Sequence, residues 1–169
     1  MHETDADLAA LQELIDRSYE GAGAHLLSIH TPDRRLSARE VAERMTGMRL
    51  LALATVSAAG RPVVGPVDGI LYRGALHFGS APGSVRMRHI RARPFVSATH
   101  APGEELAITV HGRAEMLDLG EPANAGFRRT LLEVYVPRYG EESEAFLDSG
   151  PVYARIEAER MFTFTMPVG

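Results

Sequence analysis

The sequence predicts a mainly β fold with flanking helices, and three observations carry that prediction. Residues 50–57 form an apolar run that is closed by an Ala-Ala-Gly turn, which is typical of a buried strand. Residues 106–111 alternate between apolar and small or polar side chains, which is the period of a half-buried strand. Residues 3–20 carry an apolar stripe at helical spacing. A chain of 169 residues suits one domain that buries about 70% of its unfolded surface.

The first 36 residues are predicted to be a helix and a linker packed on the body of the protein. Helix 3–20 presents its apolar stripe through Leu8, Leu11, Leu14 and Ile15. The glycine-rich segment that follows lacks the third glycine of a dinucleotide fingerprint and follows a helix, so it indicates a linker. The body, residues 37–169, is predicted to complete what is overall a single domain.

The body begins with a helix whose start is well marked. Ser37 and Glu40 have the spacing of a capping box. Val41, Met45 and Met48 are expected to form the buried face of this helix, which delivers the chain into the first strand.

Three strands are predicted in the central stretch. Strand 50–57 is expected to be buried on both faces because its apolar run is unbroken. Strand 63–70 returns as a hairpin, and Pro62 and Pro66 place it at a sheet edge or beside a groove because proline donates no ladder hydrogen bond. A third strand covers residues 75–80.

The short helix after the third strand gives the sharpest chemical signal. Ser84 can cap its start, where free amides favour an anion. Arg86 lies four residues before Ile90, so the two share a helical face, and Arg86 should point toward the interior or its rim. Arg88 and Arg91 fall on other faces and are expected to be solvated.

The remaining elements complete the prediction of six strands. They are a fourth strand at 95–99, an Ala-Pro-Gly turn at 101–103, a fifth strand at 105–117, helices at 121–137 and 141–147, and a sixth strand at 152–166 with a turn near 157–160.

Composition excludes several kinds of chemistry. The chain has no cysteine and no lysine, since all 18 basic residues are arginine, which removes thiol and Schiff-base catalysis. The net charge of −4 argues against nucleic-acid binding. Seven histidines lack the spacing of a metal site, and no GxSxG nucleophile motif is present. No apolar run approaches the roughly 20 residues of a membrane span, so we expect no membrane partner and a cytoplasmic location.

The order of these motifs resembles a known family. An apolar strand, a Gly-Arg-Pro turn, a Pro-Val strand, a strand ending Phe-Gly-Ser and then Ser-x-Arg is similar to the pyridoxamine 5′-phosphate oxidase-like superfamily, which includes flavin- and deazaflavin-dependent oxidoreductases. The resemblance covers about residues 37–166. It implies a six-stranded antiparallel split β-barrel of the FMN-binding split-barrel type, with residues 37–169 as the cofactor-binding part.

The resemblance also implies a function. We expect hydride transfer to or from a small organic substrate, with FMN or the deazaflavin coenzyme F420 as cofactor and haem ranking below both. We expect a homodimer with cofactor sites at its interface, no catalytic side chain and no metal. The expected cofactor-binding residues are Val64, Gly65, Pro66 and Val67 along the flavin ring, and Ser80, Ser84 and Arg86 at the phosphate.

Two residues depart from the family pattern. Arg86 stands where the family usually has lysine, and it keeps the charge while adding a bidentate fork. Asp68 stands where many relatives carry a bulky aromatic residue, and we interpret it as a strand-end or turn residue rather than a base. The C-terminal basic residues with which the true oxidase holds pyridoxamine phosphate are missing, which disfavours that substrate. The alternative is a protein of the same fold that binds flavin, haem or a tetrapyrrole without catalysis.

Overall fold

The computed structural model describes residues 1–166 and shows one closed β-barrel; residues 167–169, the end of the predicted cofactor-binding body, lie outside the described residues. Neighbouring strands are antiparallel throughout, in the order β1-β2-β3-β6-β5-β4, and β1 closes the barrel on β4. The predicted six-stranded antiparallel split β-barrel is therefore confirmed. The strands are β1 Met48–Val56, β2 Pro62–Tyr72, β3 Ala75–Ser80, β4 Phe95–Gly103, β5 Leu106–Leu117 and β6 Val152–Thr165.

Helices cover the ends and one outer side of the barrel. Within residues 1–166 no helix is both long and apolar enough to span a bilayer. The helices are α1 Asp5–Glu20, α2 Ala24–Ile29, α3 Ala38–Arg44, α4 Val85–Ala92, α5 Ala125–Tyr139 and α6 Glu142–Asp148.

The barrel is filled by alternate residues of its strands. Leu51 and Leu53 of β1 face inward and are almost fully buried, and Val67 of β2 pairs with Leu51 on that same inner face. A second apolar cluster lies outside the barrel, where Phe127 and Leu131 of α5 pack over the outer face of β2, β3 and β6. The outer face therefore becomes a second, smaller core wherever α5 covers it.

Helix α1 seals the part of β6 that has no strand on its second side. The pairing of β3 with β6 ends at Arg155. Further along β6, Ser18 Oγ accepts a hydrogen bond of 2.9 Å from the Met161 amide. Tyr19 Oη accepts from the Thr163 amide at 2.9 Å and donates to the Thr163 carbonyl at 2.6 Å. Side chains of α1 thus satisfy backbone groups that a missing strand would otherwise pair.

The structure corrects three predictions about the first half of the chain. Strand β1 is not buried on both faces, because Leu50 is 62% exposed and Ala52 is also exposed. Met48 begins β1 and does not contribute to the buried face of α3, although the capping box of Ser37 and Glu40 is present. The predicted linker contains a helical turn and a half, α2.

Two further corrections concern strands. The segment predicted to turn at 101–103 belongs to β4, so the β4–β5 hairpin is longer than expected. The predicted turn at 157–160 is instead a shift of register within a continuous β6, where His111 pairs with Arg160 but Gly112 pairs with Ala158. One extra residue on β6 is a bulge, which bends a strand without ending it.

Candidate functional site

A groove opens in the barrel beside the first half of β2. Strand β2 pairs with β1 from Pro62 to Ile70, but its pairing with β3 begins only at Gly69. The Ser57 amide donates to the Arg61 carbonyl, so these two residues form a hydrogen-bonded pair. Along an antiparallel ladder, hydrogen-bonded and non-hydrogen-bonded pairs alternate from one residue to the next. The backbone groups of Val64 and Pro66 therefore point away from β1 and toward the groove. Proline lacks an amide hydrogen, so Pro66 leaves only its carbonyl there.

Helix α4 closes the groove at one end and supplies its cation. Ser84 caps the helix by accepting from the Met87 amide at 3.3 Å, and the Ser80 hydroxyl donates to Ser84 Oγ at 3.1 Å. Met87 is fully buried and fixes the orientation of the helix. The half-buried Arg86 then reaches β2, where a Cβ placed on Gly65 would lie 2.9 Å from its Nη2 atom. A glycine at this position is what allows the guanidinium to lie against the strand.

The other arginines of this helix have different partners. Arg88 Nη1 donates to the Gly83 carbonyl, and Arg91 Nη1 donates to the Pro82 carbonyl at 2.8 Å. Both side chains are exposed and hold the loop before α4. The structure thus separates Arg86 from Arg88 and Arg91, as the helical spacing predicts.

The groove widens into a cavity of about 950 Å³ between the barrel and the pair α5–α6. Its polar end carries Ser80 and Arg86, and its other walls come from the outer face of β1 and β2 and from α5 and α6. Gly79 contributes to the floor, because a Cβ there would lie 2.7 Å from the Tyr153 ring. The remaining lining residues are Leu50, Pro66, Val67, Asp68, Ala81, Pro82, Tyr135, Tyr139, Glu142, Ser143, Phe146, Ser149, Gly150 and Pro151.

Two buried phenols and one carboxylate form the inner wall of the cavity. Burial raises the pKa of Tyr135 to about 12, and the nearby negative charge of Asp68 adds to the shift. Burial also raises the pKa of Tyr153, with smaller contributions from Tyr135 and Asp68. Both hydroxyls therefore stay protonated near neutral pH.

The seven residues predicted to bind the cofactor occupy different places. Pro66, Val67, Ser80 and Arg86 line the cavity. Ser84 does not line it but contacts Ser80, and Gly65 lies under the Arg86 guanidinium. Val64 is 65% exposed on the outer face of β2, so its backbone and not its side chain faces the groove.

The prediction that Asp68 is a strand-end or turn residue is wrong. Asp68 lies within β2, opposite Leu50, and not at a strand end or in a turn. Its side chain shares the outer face of the strand with Pro66 and lines the cavity.

The aromatic wall of the cavity, formed by Tyr135, Tyr139 and Phe146, was not predicted from the sequence. Tyr135 and Tyr139 are four residues apart on α5 and so share one helical face. That spacing was the available signal, although nothing local showed that the face would meet the outer side of the barrel. Phe146 of α6 completes this wall.

The histidines are placed elsewhere. His77 and His100 are buried and hydrogen-bond backbone carbonyls, of Ala75 at 3.0 Å and of Leu50 at 2.9 Å. Among the cavity-lining residues that the structure describes there is no histidine, cysteine or methionine. Across residues 1–166 no three His, Cys, Asp or Glu side chains converge as a metal site would need.

Comparison with known proteins gives the family and the fold. The profile of the family described as pyridoxamine 5′-phosphate oxidase matches residues 37–163. No curated protein matches the chain significantly. Among solved structures, the chain is similar to a conserved hypothetical protein from Mycobacterium tuberculosis, with 22% identity and a TM-score of 0.65 over 82% of this chain and 95% of that one.

Two other solved structures differ in what they bind. A protein from Mesorhizobium loti described as FAD-binding is 25% identical, with a TM-score of 0.59 over 77% of this chain and 93% of that one. The haem storage protein HutZ from Vibrio cholerae is 19% identical, with a TM-score of 0.61 over 78% of this chain and 95% of that one. The fold is thus found in proteins described as flavin-binding and as haem-storing.

Proposed function

The chain belongs to the pyridoxamine 5′-phosphate oxidase family, and on that premise we propose that it binds FMN or the deazaflavin coenzyme F420 in the cavity and transfers hydride to or from a small organic substrate. One observation carries the proposal. A hydroxyl and a guanidinium, those of Ser80 and Arg86, meet at the closed end of a groove whose side is a strand edge with free backbone groups.

The closed end fits a phosphate. Arg86 presents a planar fork of donors, and its Nη2 atom lies against the backbone at Gly65. Ser80 adds a hydroxyl, and it is held by its contact with the helix cap Ser84. Charge-assisted hydrogen bonds of this kind are about twice as strong as neutral ones.

The side of the groove fits a flat, polar-edged ring. Backbone groups of Val64 and Pro66 point into it and can hydrogen-bond the heteroatoms of a ring edge. Pro66 offers apolar surface beside them. The bound flavin or deazaflavin supplies the hydride chemistry, and the chain contributes binding, orientation and exclusion of water.

The donor set favours a flavin over haem. Haem iron is held by histidine, cysteine, methionine or tyrosine, and of these the described lining residues offer only tyrosine. Burial raises the pKa of Tyr135 to about 12 and also that of Tyr153, which disfavours the phenolate form that binds iron. A haem site here would depend on the exposed Tyr139.

We propose that a homodimer completes the site. Beside Asp68, the outer face of β1 and β2 carries an apolar stretch that is uncovered: Leu50 is 62% exposed, Val64 is 65% exposed, and Ala52 and Pro66 lie between them. A contiguous apolar patch of this kind marks an interface. Leu50 and Pro66 also line the cavity, so a second copy seated there would cover the site.

A spectroscopic titration tests the proposal. Purified protein is mixed with FMN, F420 or haemin, and the absorbance and the flavin or deazaflavin fluorescence are followed. We expect saturable binding of FMN or F420, in a ratio of one cofactor per chain. Saturable binding of haemin alone would refute the choice of cofactor.

A second measurement separates catalysis from storage. The loaded protein is reduced chemically under anaerobic conditions, and reoxidation is followed with a panel of small organic acceptors. An acceptor that reoxidises the bound cofactor faster than the free cofactor supports an oxidoreductase. Uniform rates across the panel, equal to those of free cofactor, would instead indicate a protein that binds the cofactor without catalysis.

A further inference from the structure

Positive and negative side chains lie at different positions in the cavity along β2. Its only basic lining residue among those described is Arg86, at the end that contacts Gly65. Asp68 lies three residues further along the strand, about 10 Å away at the usual rise of an extended chain. Glu142 of α6 also lines the cavity, so the described lining carries one basic and two acidic side chains.

Asp68 has no partner among the described side chains. No hydrogen bond or ion pair of residues 1–166 involves its carboxylate, although it is half-buried within a strand. Two acids of α6 are paired, since Arg128 of α5 contacts both Asp148 and Glu144. Neither oxygen of the Asp68 carboxylate is fully buried, so it is accessible to a ligand that enters the cavity.

Aromatic rings line the same cavity as this carboxylate. The Tyr135 and Tyr153 rings lie close enough for the charge of Asp68 to influence both. Across the cavity, Tyr139 and Phe146 are 55% and 54% exposed, so their faces are open to an incoming ligand. A carboxylate flanked by aromatic faces is suited to an organic cation, because ring faces attract positive charge.

We propose that the end of the cavity around Asp68 binds the ammonium group of a small aromatic substrate that carries no phosphate, with Asp68 as its counterion. The inference rests on the proposed function, which places the cofactor phosphate at Arg86. With Arg86 so occupied, no basic lining residue of the described chain remains to hold a second anion. The aromatic part of the substrate would lie between the rings of α5 and α6 and the groove.

Intrinsic tyrosine fluorescence reports on this site directly. The chain has no tryptophan and five tyrosines, three of which line the cavity. The probes share one skeleton and differ in charge: 2-phenylethylamine, 2-phenylethanol and 3-phenylpropionate. Each is titrated into the full chain, with and without saturating FMN. We expect the amine to bind about 10- to 100-fold more tightly than the alcohol, and the carboxylate to bind most weakly.

Two matched variants locate the counterion. Asp68→Asn keeps the size of the side chain and removes its charge, so the amine and the alcohol should then bind within about threefold of each other. Glu13→Gln makes the same change of net charge at an exposed position on α1 and should leave the preference intact.

The outcomes distinguish this inference from the proposed function. Failure of FMN and F420 to bind, with the amine preference intact and lost in Asp68→Asn, would refute the cofactor assignment and support the cation site. Cofactor binding with equal affinity for amine and alcohol would overturn the cation site alone. An amine preference that survives in Asp68→Asn would also overturn it, because the counterion would then lie elsewhere.

Discussion

Replacing Arg86 with alanine tests the assignment of the phosphate end most directly. The Arg86 guanidinium is half-buried, lies against β2 at Gly65 and lines the cavity beside Ser80. Arg86→Ala removes the only cation of the described cavity wall and leaves the hydroxyl in place. Because the side chain forms no hydrogen bond or ion pair within residues 1–166, its loss should affect ligand binding more than folding.

The expected loss follows from one charge-assisted contact. A hydrogen bond to a charged group contributes about 1.5–3 kcal/mol net. Arg86→Ala should therefore weaken FMN or F420 binding by roughly 10- to 150-fold, since each 1.4 kcal/mol is a factor of ten. Isothermal titration calorimetry measures the affinity, and thermal unfolding without cofactor checks that the variant folds. Arg86→Lys should lie between wild type and alanine, because it keeps the charge and loses the fork.

The two neighbouring arginines are the matched controls. Arg88 and Arg91 are exposed and donate to the carbonyls of Gly83 and Pro82, away from the cavity. Alanine at either position should change cofactor affinity by less than about threefold. Equal losses at all three positions would indicate a diffuse basic surface, and an unchanged affinity in Arg86→Ala would refute the phosphate assignment.

Three further predictions address stability and assembly. Burial lowers the pKa of His77 to about 4 from 6.5, so between these pH values the unfolded chain binds a proton that the folded chain does not bind. About 3 kcal/mol of the free energy of unfolding should therefore be lost as pH falls from about 6.5 to 4. Urea unfolding at a series of pH values should show this loss, and His77→Gln should remove it. Tyr19→Phe deprives the Thr163 amide and carbonyl of a buried partner and should cost about 2–4 kcal/mol in urea unfolding, whereas Tyr139→Phe, at an exposed ring, should cost less than about 0.5 kcal/mol. Leu50→Glu places a charge in the proposed interface and should convert a dimer into the 18.4 kDa monomer in light scattering; a wild-type chain that is already monomeric at micromolar concentration would contradict the homodimer.

Local signals in the sequence were sufficient for the elements that frame the site. The strand before α4 has the predicted bounds, Ala75–Ser80, because a glycine turn and a Pro-Gly break mark its two ends. Ser84 caps α4 as predicted, since capping depends on residues within one turn. The direction of Arg86 followed from its spacing to Ile90, which is likewise a local property.

Predictions that depended on distant partners were less successful. An unbroken apolar run looks the same whether both faces of a strand are covered by one chain or one face is left for a second copy. This is why β1 was predicted to be buried and yet exposes Leu50. Likewise, the residues at 157–160 have the polar character of a turn, and only the pairing with Gly112 of β5 shows that the strand continues through a bulge.

The alternation of β2 explains why the family could be predicted from the sequence and the ligand could not. Val67 and Leu71 point into the barrel and are buried, and any apolar side chains at such positions would serve the core. Pro66 and Asp68 belong to the opposite face, where no core packing restricts their chemistry. The pattern that specifies the barrel therefore says little about the face that lines the cavity. That face becomes the wall of a cavity only because α5 and α6, more than 50 residues further along the chain, bring aromatic rings to the cavity that Asp68 lines.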